Sequence, residues 1–414
     1  ESESEELSMR LLVISAAFPP MRVGEADHAL QLCRQLAERG HDVHALTTKG
    51  CLQPEGDKFT VHPIMSDWKW PDLPKFMRFL ARCAPDGVIL MYIGFVYNDH
   101  PMITFAPTLS KFLLPSVPFV TQFENVQGAY LHGASLGARC VRKAVALCVG
   151  GKKVDYSFGT LLSDSDQIIV LSGVHLATLA KLEPDIERKS VMIPAPPLMR
   201  VSPDDGGLVR ARGRELLKVE PDDFVIVYFG RIYPQKGIET LLRAFHIVSA
   251  KRRNIHLVLV GGGIARHDSH HFRSSYLGEM AQLASELNIA QMVTWTGEFD
   301  WDSELPSLYL RASDLCVLPF NSGVLLNNSS FAMTASYGLP IITTKGETLE
   351  APFVHEENVC LCAPKKPDEL AMAIEVLIEQ PHVRKRLADG ALRLAREWFS
   401  WERAIERTIK AVAS

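Results

Sequence analysis

Residues 228–245, "YFGRIYPQKGIETLLRAF", run from the end of an apolar strand, through a glycine and two cations, into a helix. The strand starts upstream, in "DFVIVYFG" (223–230). Near-continuous apolar runs of this kind are the mark of a parallel strand buried on both faces. Arg231 stands at the strand's mouth and Lys236-Gly237 just precede the helix. That placement suits a diphosphate. A guanidinium bonds phosphate oxygens in pairs and an ammonium adds a compact charge. The helix that opens near Ile238 adds free backbone donors. Elsewhere on a surface, an arginine and a lysine would read as solvated charges. At a strand's carboxyl end, where open α/β sheets hold ligands, they read as a phosphate site.

Similar strand–helix units lie on both sides. Upstream, "MRLLVISAAFPP" (9–20), "DVHALTT" (42–48), "DGVILMYI" (86–93), "PFVTQF" (118–123), "QIIVLS" (167–172) and "SVMIPAP" (190–196) are expected strands. "ADHALQLCRQLAERGH" (26–41) has apolar residues at helical spacing and Gly40 as its stop. Downstream, "HLVLVGGG" (256–263), "MVTWTGEF" (292–299), "LCVLPF" (315–320) and "PIITT" (340–344) continue the pattern. Helices fit 238–252, 275–287 and 329–337. The polar stretch 201–219, with "SPDDGG" and "RARGREL", is the linker candidate. Two Rossmann-like, doubly wound α/β domains facing a cleft follow: 9–200 and 201–396, with a helix at 397–414 crossing back onto the first.

The 414 residues exceed what one core usually serves, and 47% are apolar, enough for two. A net charge of −4 gives no basic field, which argues against nucleic-acid binding. Eight scattered cysteines, mostly within apolar segments, read as small core residues in a reducing, cytoplasmic compartment. The opening "ESESEELS" is polar and acidic, unlike a secretory signal, and is read as a tail before Met9. No run of about 18 apolar residues suggests a membrane span. "KFMRFLARC" (75–83) allows at most a peripheral membrane contact, and a solvated amphipathic helix is the simpler reading.

The chain resembles the GT-B-fold glycosyltransferases of family 4. "FPPMRVGEADHALQLCRQLAERGHDVHALTT" is similar to the family's opening strand, glycine loop and first helix. "YFGRIYPQKGIETLLRAF" is similar to its diphosphate-binding stretch. "VTWTGEF", "LYLRASDLCVLPF", "YGLPIITT" and the terminal "FSWERAIERTIK" follow in the family's order. The resemblance covers nearly all of 9–414. It implies a nucleotide-sugar donor (UDP-, GDP- or dTDP-linked) on the second domain, an acceptor on the first, and transfer with retention. No metal or other cofactor is implied. Carried over, Arg231 and Lys236 contact the diphosphate, with Gly230 beside them, and Gly24 lies in the loop that nears the phosphates. Val23 stands where many members have a second glycine. Thr296, Glu298 and Phe299 fall where the family holds the nucleobase. Gly261 and Gly262 bring backbone near the donor.

Two departures stand out. The family often has a T-x-H turn after a first-domain strand; here "VTQFEN" puts Phe123 at that position, leaving Glu124 as the neighbouring candidate for an acid, base or orienting group. The family's paired glutamates would fall on Leu325 and Met333 of "GVLLNNSSFAMTASYGLP" (323–340), which holds no carboxylate. Gly323, Leu325, Leu326, Asn327, Asn328 and Ser329 are nevertheless expected at the donor. Asn327 or Asn328 would cap the helix and leave the N–H groups of Ser329 and Ser330 for a phosphate. A capped core helix is the plainer reading of that stretch.

Other motifs say less. "RHDSHH" (266–271) is a weak metal candidate in a loop, and no metal site is expected. "YNDH" (97–100) reads equally as an acceptor-lining turn or as a plain one. The expected function is a glycosyltransferase with an unidentified acceptor. The alternatives are a catalytically silent scaffold of the same fold, motivated by the missing acids, and a sugar-nucleotide epimerase, which lacks an acid/base set.

Overall fold

The computed structural model describes residues 8–126, 155, 157–201, 207–263, 270–300 and 302–414. The chain divides into two compact units. Unit 1 comprises Glu1–Pro194 and Trp401–Ser414, and unit 2 comprises Ala195–Ser400.

Unit 1 is built on a seven-stranded parallel sheet. In chain order its strands are β1 (Arg10–Ile14), β2 (Asp42–Thr48), β3 (Thr60–Met65), β4 (Gly87–Tyr92), β5 (Phe119–Phe123), β6 (Gln167–Val170) and β7 (Ser190–Met192). Their spatial order is β3-β2-β1-β4-β5-β6-β7. β1 pairs with β2 through Leu11↔Val43 and with β4 through Leu11↔Gly87. The chain therefore winds outward in one direction and then in the other, with the switch between β1 and β4. All of β4 is buried, as its unbroken apolar run implies, and all of β5 is buried too, including the polar Thr121 and Gln122. The sequence pattern did not anticipate β3. "TVHPIM" is half exposed and contains Pro63, which a sheet tolerates only at an edge, and β3 is the edge strand. The helix Gly24–Glu38 lays Ala29, Leu32, Cys33 and Leu36 on the sheet. The terminal helix Trp401–Ala413 packs so closely on β4 that a Cβ at Gly87 would overlap Val412.

Unit 2 has six parallel strands: β8 (Phe224–Phe229), β9 (Ile255–Val260), β10 (Val293–Gly297), β11 (Leu315–Leu318), β12 (Ile341–Thr344) and β13 (Cys360–Cys362). They lie in the order β10-β9-β8-β11-β12-β13, which puts the switch between β8 and β11. β13, only three residues long, is too short for periodicity to reveal. The supposed linker is in part a helix, Leu208–Leu217, packed within unit 2. Its arginines serve the end of the helix Leu305–Ala312. Arg210 donates to the carbonyls of Arg311 (3.1 Å) and Ser313 (3.0 Å), and Arg214 to that of Ala312 (3.1 Å). Arg210 also pairs with Asp314 at 2.6 Å. Cations at a helix C-terminus satisfy its last carbonyls and its dipole, so a charged sequence here marks packing rather than a linker.

No helix among the described residues is long and apolar enough to cross a membrane.

Candidate functional site

Four segments of unit 2 meet at the carboxyl ends of β8 and β11. β8 runs into Gly230 and half-buried Arg231, whose carbonyl accepts the Tyr228 hydroxyl at 2.7 Å. The chain then turns through a short 3-10 segment, Pro234–Lys236, and Gly237 in a left-handed conformation (φ 71°). A Cβ at Gly237 would overlap the Pro319 carbonyl, so only glycine lets the loop lie against the end of β11. Asn321 ties the two together, donating through Nδ2 to the Pro234 carbonyl (2.7 Å) and through its backbone to Gln235 (2.9 Å). The result is a rigid cradle for Lys236. Its ammonium lies 4.7 Å from the Phe320 ring centre and 5.3 Å from that of Tyr233.

Among the described residues, Lys236 has no carboxylate within ion-pair distance. Burial, and then the neighbouring Arg231 charge, push its ammonium down to about 8. The sequence-predicted pair is thus brought together as two cations whose mutual repulsion an anion would relieve.

The glycine run sits beside this cradle. Gly230 donates to the Val260 carbonyl (3.0 Å) and Ile232 to that of Gly262 (2.8 Å). A Cβ at Gly261 would overlap the Gly230 carbonyl, and one at Gly262 would overlap the Glu298 side chain. Thr296 Oγ1 accepts the Gly261 N–H at 3.2 Å, and Phe299 stands 6.1 Å from Tyr309, ring to ring. The "TGEF" turn and the glycines therefore form one surface.

The 323–328 loop corrects one expectation and adds a residue the sequence pattern missed. Asn328 occupies the N-cap position of the helix Ser329–Ser336, but its side chain turns back to accept the Leu325 N–H (2.7 Å). The Ser329 N–H donates to the Asn327 carbonyl (3.1 Å), so it is not available to a phosphate. Ser330 remains at the site, its hydroxyl against Gly230. Gly323 (φ 86°) is pressed onto the backbone of Gly346. Leu326 is buried rather than presented to a ligand. The acid absent from 323–340 arrives from outside it: buried Glu350 accepts the Leu326 N–H at 2.6 Å. No local signal pointed to Glu350, which lies 24 positions along the chain from its partner.

In unit 1, Gly24 opens the helix Gly24–Glu38 beyond extended Val23. Phe123 is fully buried, edge-on to Tyr92 (5.6 Å) and Phe158 (5.2 Å). It is a core residue, not a replacement facing a ligand. Glu124 is the first residue past β5, and its N–H donates to the Tyr92 carbonyl at 3.0 Å. Its Oε1 accepts from Gln122 Nε2 and its Oε2 bonds His28 Nδ1, both at 2.7 Å. The two side chains are 8% and 5% exposed. A carboxylate so enclosed needs a cationic or hydrogen-bonding partner, and His28 supplies it from the first helix. His175 also feels this carboxylate, but burial holds its imidazole down to about 4. The sequence named Glu124 without its partner, because 96 positions separate it from His28.

The core of "RHDSHH", 266–269, lies outside the described residues. Among those described, no three His, Cys, Asp or Glu side chains converge as a metal site.

Two doubly wound parallel units of this kind define the GT-B architecture. The chain superimposes on sucrose-phosphate synthase from Thermosynechococcus elongatus (TM-score 0.66, 20% identity, 97% of each chain). It does so also on Anabaena HepE in complex with UDP and glucose (TM-score 0.71, 14% identity, 98% of this chain and 99% of that one). Residues 210–393 match the family described as glycosyl transferases group 1. The match lies within the second unit, whose 323–340 stretch holds no carboxylate. The chain is 28% identical over 97% of both chains to an uncharacterized glycosyltransferase from Methanocaldococcus jannaschii. It is 30% identical over 55% of its length to the D-inositol 3-phosphate glycosyltransferase of Rhodococcus jostii, and that match spans about half of the relative, 47%.

Proposed function

We propose that this protein transfers a sugar from a nucleotide-sugar donor to an acceptor hydroxyl, with retention of configuration and without a metal. The observation that carries this reading is the Lys236 cradle: a half-buried ammonium beside Arg231, packed on two aromatic rings, in a unit that matches the group 1 family. As the bond between the sugar's anomeric carbon and the phosphate oxygen breaks, charge accumulates on the diphosphate. Arg231 and Lys236 stabilise it there. The acceptor oxygen forms the new bond to the anomeric carbon, and its proton passes to the departing phosphate. With both oxygens engaged, Glu124 acts as an orienting group rather than as a free base.

The Gly261–Gly262 strip and the Thr296–Phe299 turn hold the nucleobase side, and the 323–328 loop with the Ser330 hydroxyl lies on the sugar side. UDP is the first nucleotide to test, because HepE is described in complex with UDP. A cytoplasmic setting is in keeping with the free thiols of Cys33, Cys51, Cys83, Cys316, Cys360 and Cys362.

A thermal-shift screen of UDP, GDP and dTDP, followed by donor hydrolysis with the matching sugar nucleotides, tests the proposal. One nucleotide should raise the melting temperature, and Arg231→Ala should abolish both the shift and turnover. If no nucleotide shifts the wild type and no donor is consumed, the protein is a scaffold of the same fold.

A further inference from the structure

We propose that Trp70, on the carboxyl-end loops of β3 and β4, is the platform of a carbohydrate subsite, with His100, Asp67 and Asp99 as its hydrogen-bonding rim. The proposal rests on the glycosyl-transfer reading only in naming this sugar the acceptor; the subsite itself stands on unit 1.

The loop after β3 is built to be rigid. Buried Asp72 accepts three successive N–H groups through Oδ2, from Ser66 (2.8 Å), Asp67 (2.9 Å) and Trp68 (3.0 Å), and pairs with Lys75 through Oδ1 (2.9 Å). Trp68, in a left-handed conformation (φ 56°), is buried edge-on against Tyr97 at 5.1 Å. The loop after β4 is locked to it: Asn98 Nδ2 donates to the Asp67 carbonyl at 3.2 Å. Asp99 folds back so that its N–H donates to the Gly94 carbonyl (2.9 Å).

On this fixed base Trp70 is left 46% exposed. Its ring has the edge of His100 (5.6 Å) and Phe105 (6.1 Å) beside it. Phe95, on the adjoining loop, is 45% exposed. Trp70 and Phe95 are thus two large aromatic side chains left about half exposed on neighbouring loops that hydrogen bonds hold in place.

The surrounding chemistry selects the occupant. His100 Nδ1 accepts the Met102 N–H (3.2 Å), which puts the proton of the neutral ring on Nε2 and leaves that nitrogen as a donor. Asp67, Lys69 and Asp99 are exposed around it. Donors and carboxylate acceptors ringing an aromatic face match a pyranose. Its C–H face packs on the electron-rich ring and its hydroxyls both donate and accept. The same surroundings disfavour an anionic lipid surface. The exposed carboxylates of Asp67 and Asp99 would face such a surface with like charge.

The test is direct binding of the intact protein to a printed panel of neutral oligosaccharides and to vesicles of phosphatidylcholine, alone and with phosphatidylglycerol. UDP thermal shift of the wild type is run in parallel. The wild type should retain at least one oligosaccharide class. Trp70→Ala should weaken it about tenfold or more, and Trp70→Phe should restore most of it, since Phe keeps a stacking face. Circular dichroism checks that the variants fold. No glycan bound by the wild type, glycan binding indifferent to Trp70→Ala, or vesicle binding lost with Trp70 would each overturn the proposal. A positive UDP shift alongside such a result would leave the transferase reading intact.

Discussion

Lys236 makes nucleotide affinity depend on pH in a way that few other groups here can imitate. Its free ammonium titrates near 8 because it is half-buried and repelled by Arg231. A diphosphate alongside would return it towards the ordinary lysine value of about 10.4. Only the protonated form attracts the anion, so the apparent Kd should scale as one plus the ratio of neutral to charged lysine in the free protein. That factor is about 1.1 at pH 7 and about 11 at pH 9, a roughly tenfold loss of affinity, equivalent to about 1.4 kcal/mol. The nucleotide itself adds no slope in this window, because a terminal phosphate ionises near pH 6, and arginine does not titrate below about pH 12. Calorimetric titration with UDP at pH 7, 8 and 9, at constant ionic strength and in buffers of different ionisation heat, reads both Kd and proton uptake. Uptake should rise from about 0.1 to about 0.9 proton per nucleotide across that range. A Kd that stays flat from pH 7 to 9, or the same slope in Lys236→Met, would refute the reasoning.

Other consequences are quicker to check. Gly237→Ala forces a left-handed alanine against the Pro319 carbonyl and should cost roughly 1–3 kcal/mol, seen as a lower melting temperature. Glu124→Ala leaves His28 and Gln122 facing an empty buried position and should cost about 3–5 kcal/mol, whereas Glu124→Gln, which keeps an acceptor oxygen, should cost clearly less by urea denaturation. For Asp72, burial alone would raise the carboxyl, but Lys75 and then the three backbone donors outweigh it and hold it at about 2. A depressed acid contributes stability that is complete above its ordinary value near 3.8 and is lost as pH falls towards 2. Melting curves between pH 5 and 2 should therefore show a smaller acid loss in Asp72→Asn, by up to about 2 kcal/mol.

The parallel strands were legible because a strand covered on both faces must be apolar throughout, and a loop after it must turn into a helix within a few residues. β4 and β8 follow that rule throughout and β1 past its first residue, while β2 and β5 keep enough apolar residues to be read with them. β3 and β13 escaped because edge position frees a strand from it: one carries Pro63, the other spans three residues. The same burial hides the role of Phe123: when every residue of β5 is covered, alternation no longer tells which side chain leaves the sheet.

The site was legible only where its residues are neighbours in sequence. Arg231 and Lys236 lie on one strand–loop–helix junction, so spacing alone brings them together. The 323–340 stretch read as a loop stripped of its acids because an acid supplied from a distance leaves no local trace. Glu350 now holds Leu326 from behind, and Asn328 spends its side chain on Leu325. Both bonds fix the course of the loop by engaging its N–H groups, and the Gly323, Val324 and Asn328 N–H groups are likewise engaged, by the carbonyls of Phe320, Thr344 and Leu325. Glu350 is the one acid among these partners, and the loop's shape depends on it. Glu350→Gln, which can still accept the Leu326 N–H without the charge, should therefore disturb nucleotide-sugar affinity far less than Glu350→Ala, while UDP affinity, set at Lys236, should change little in either.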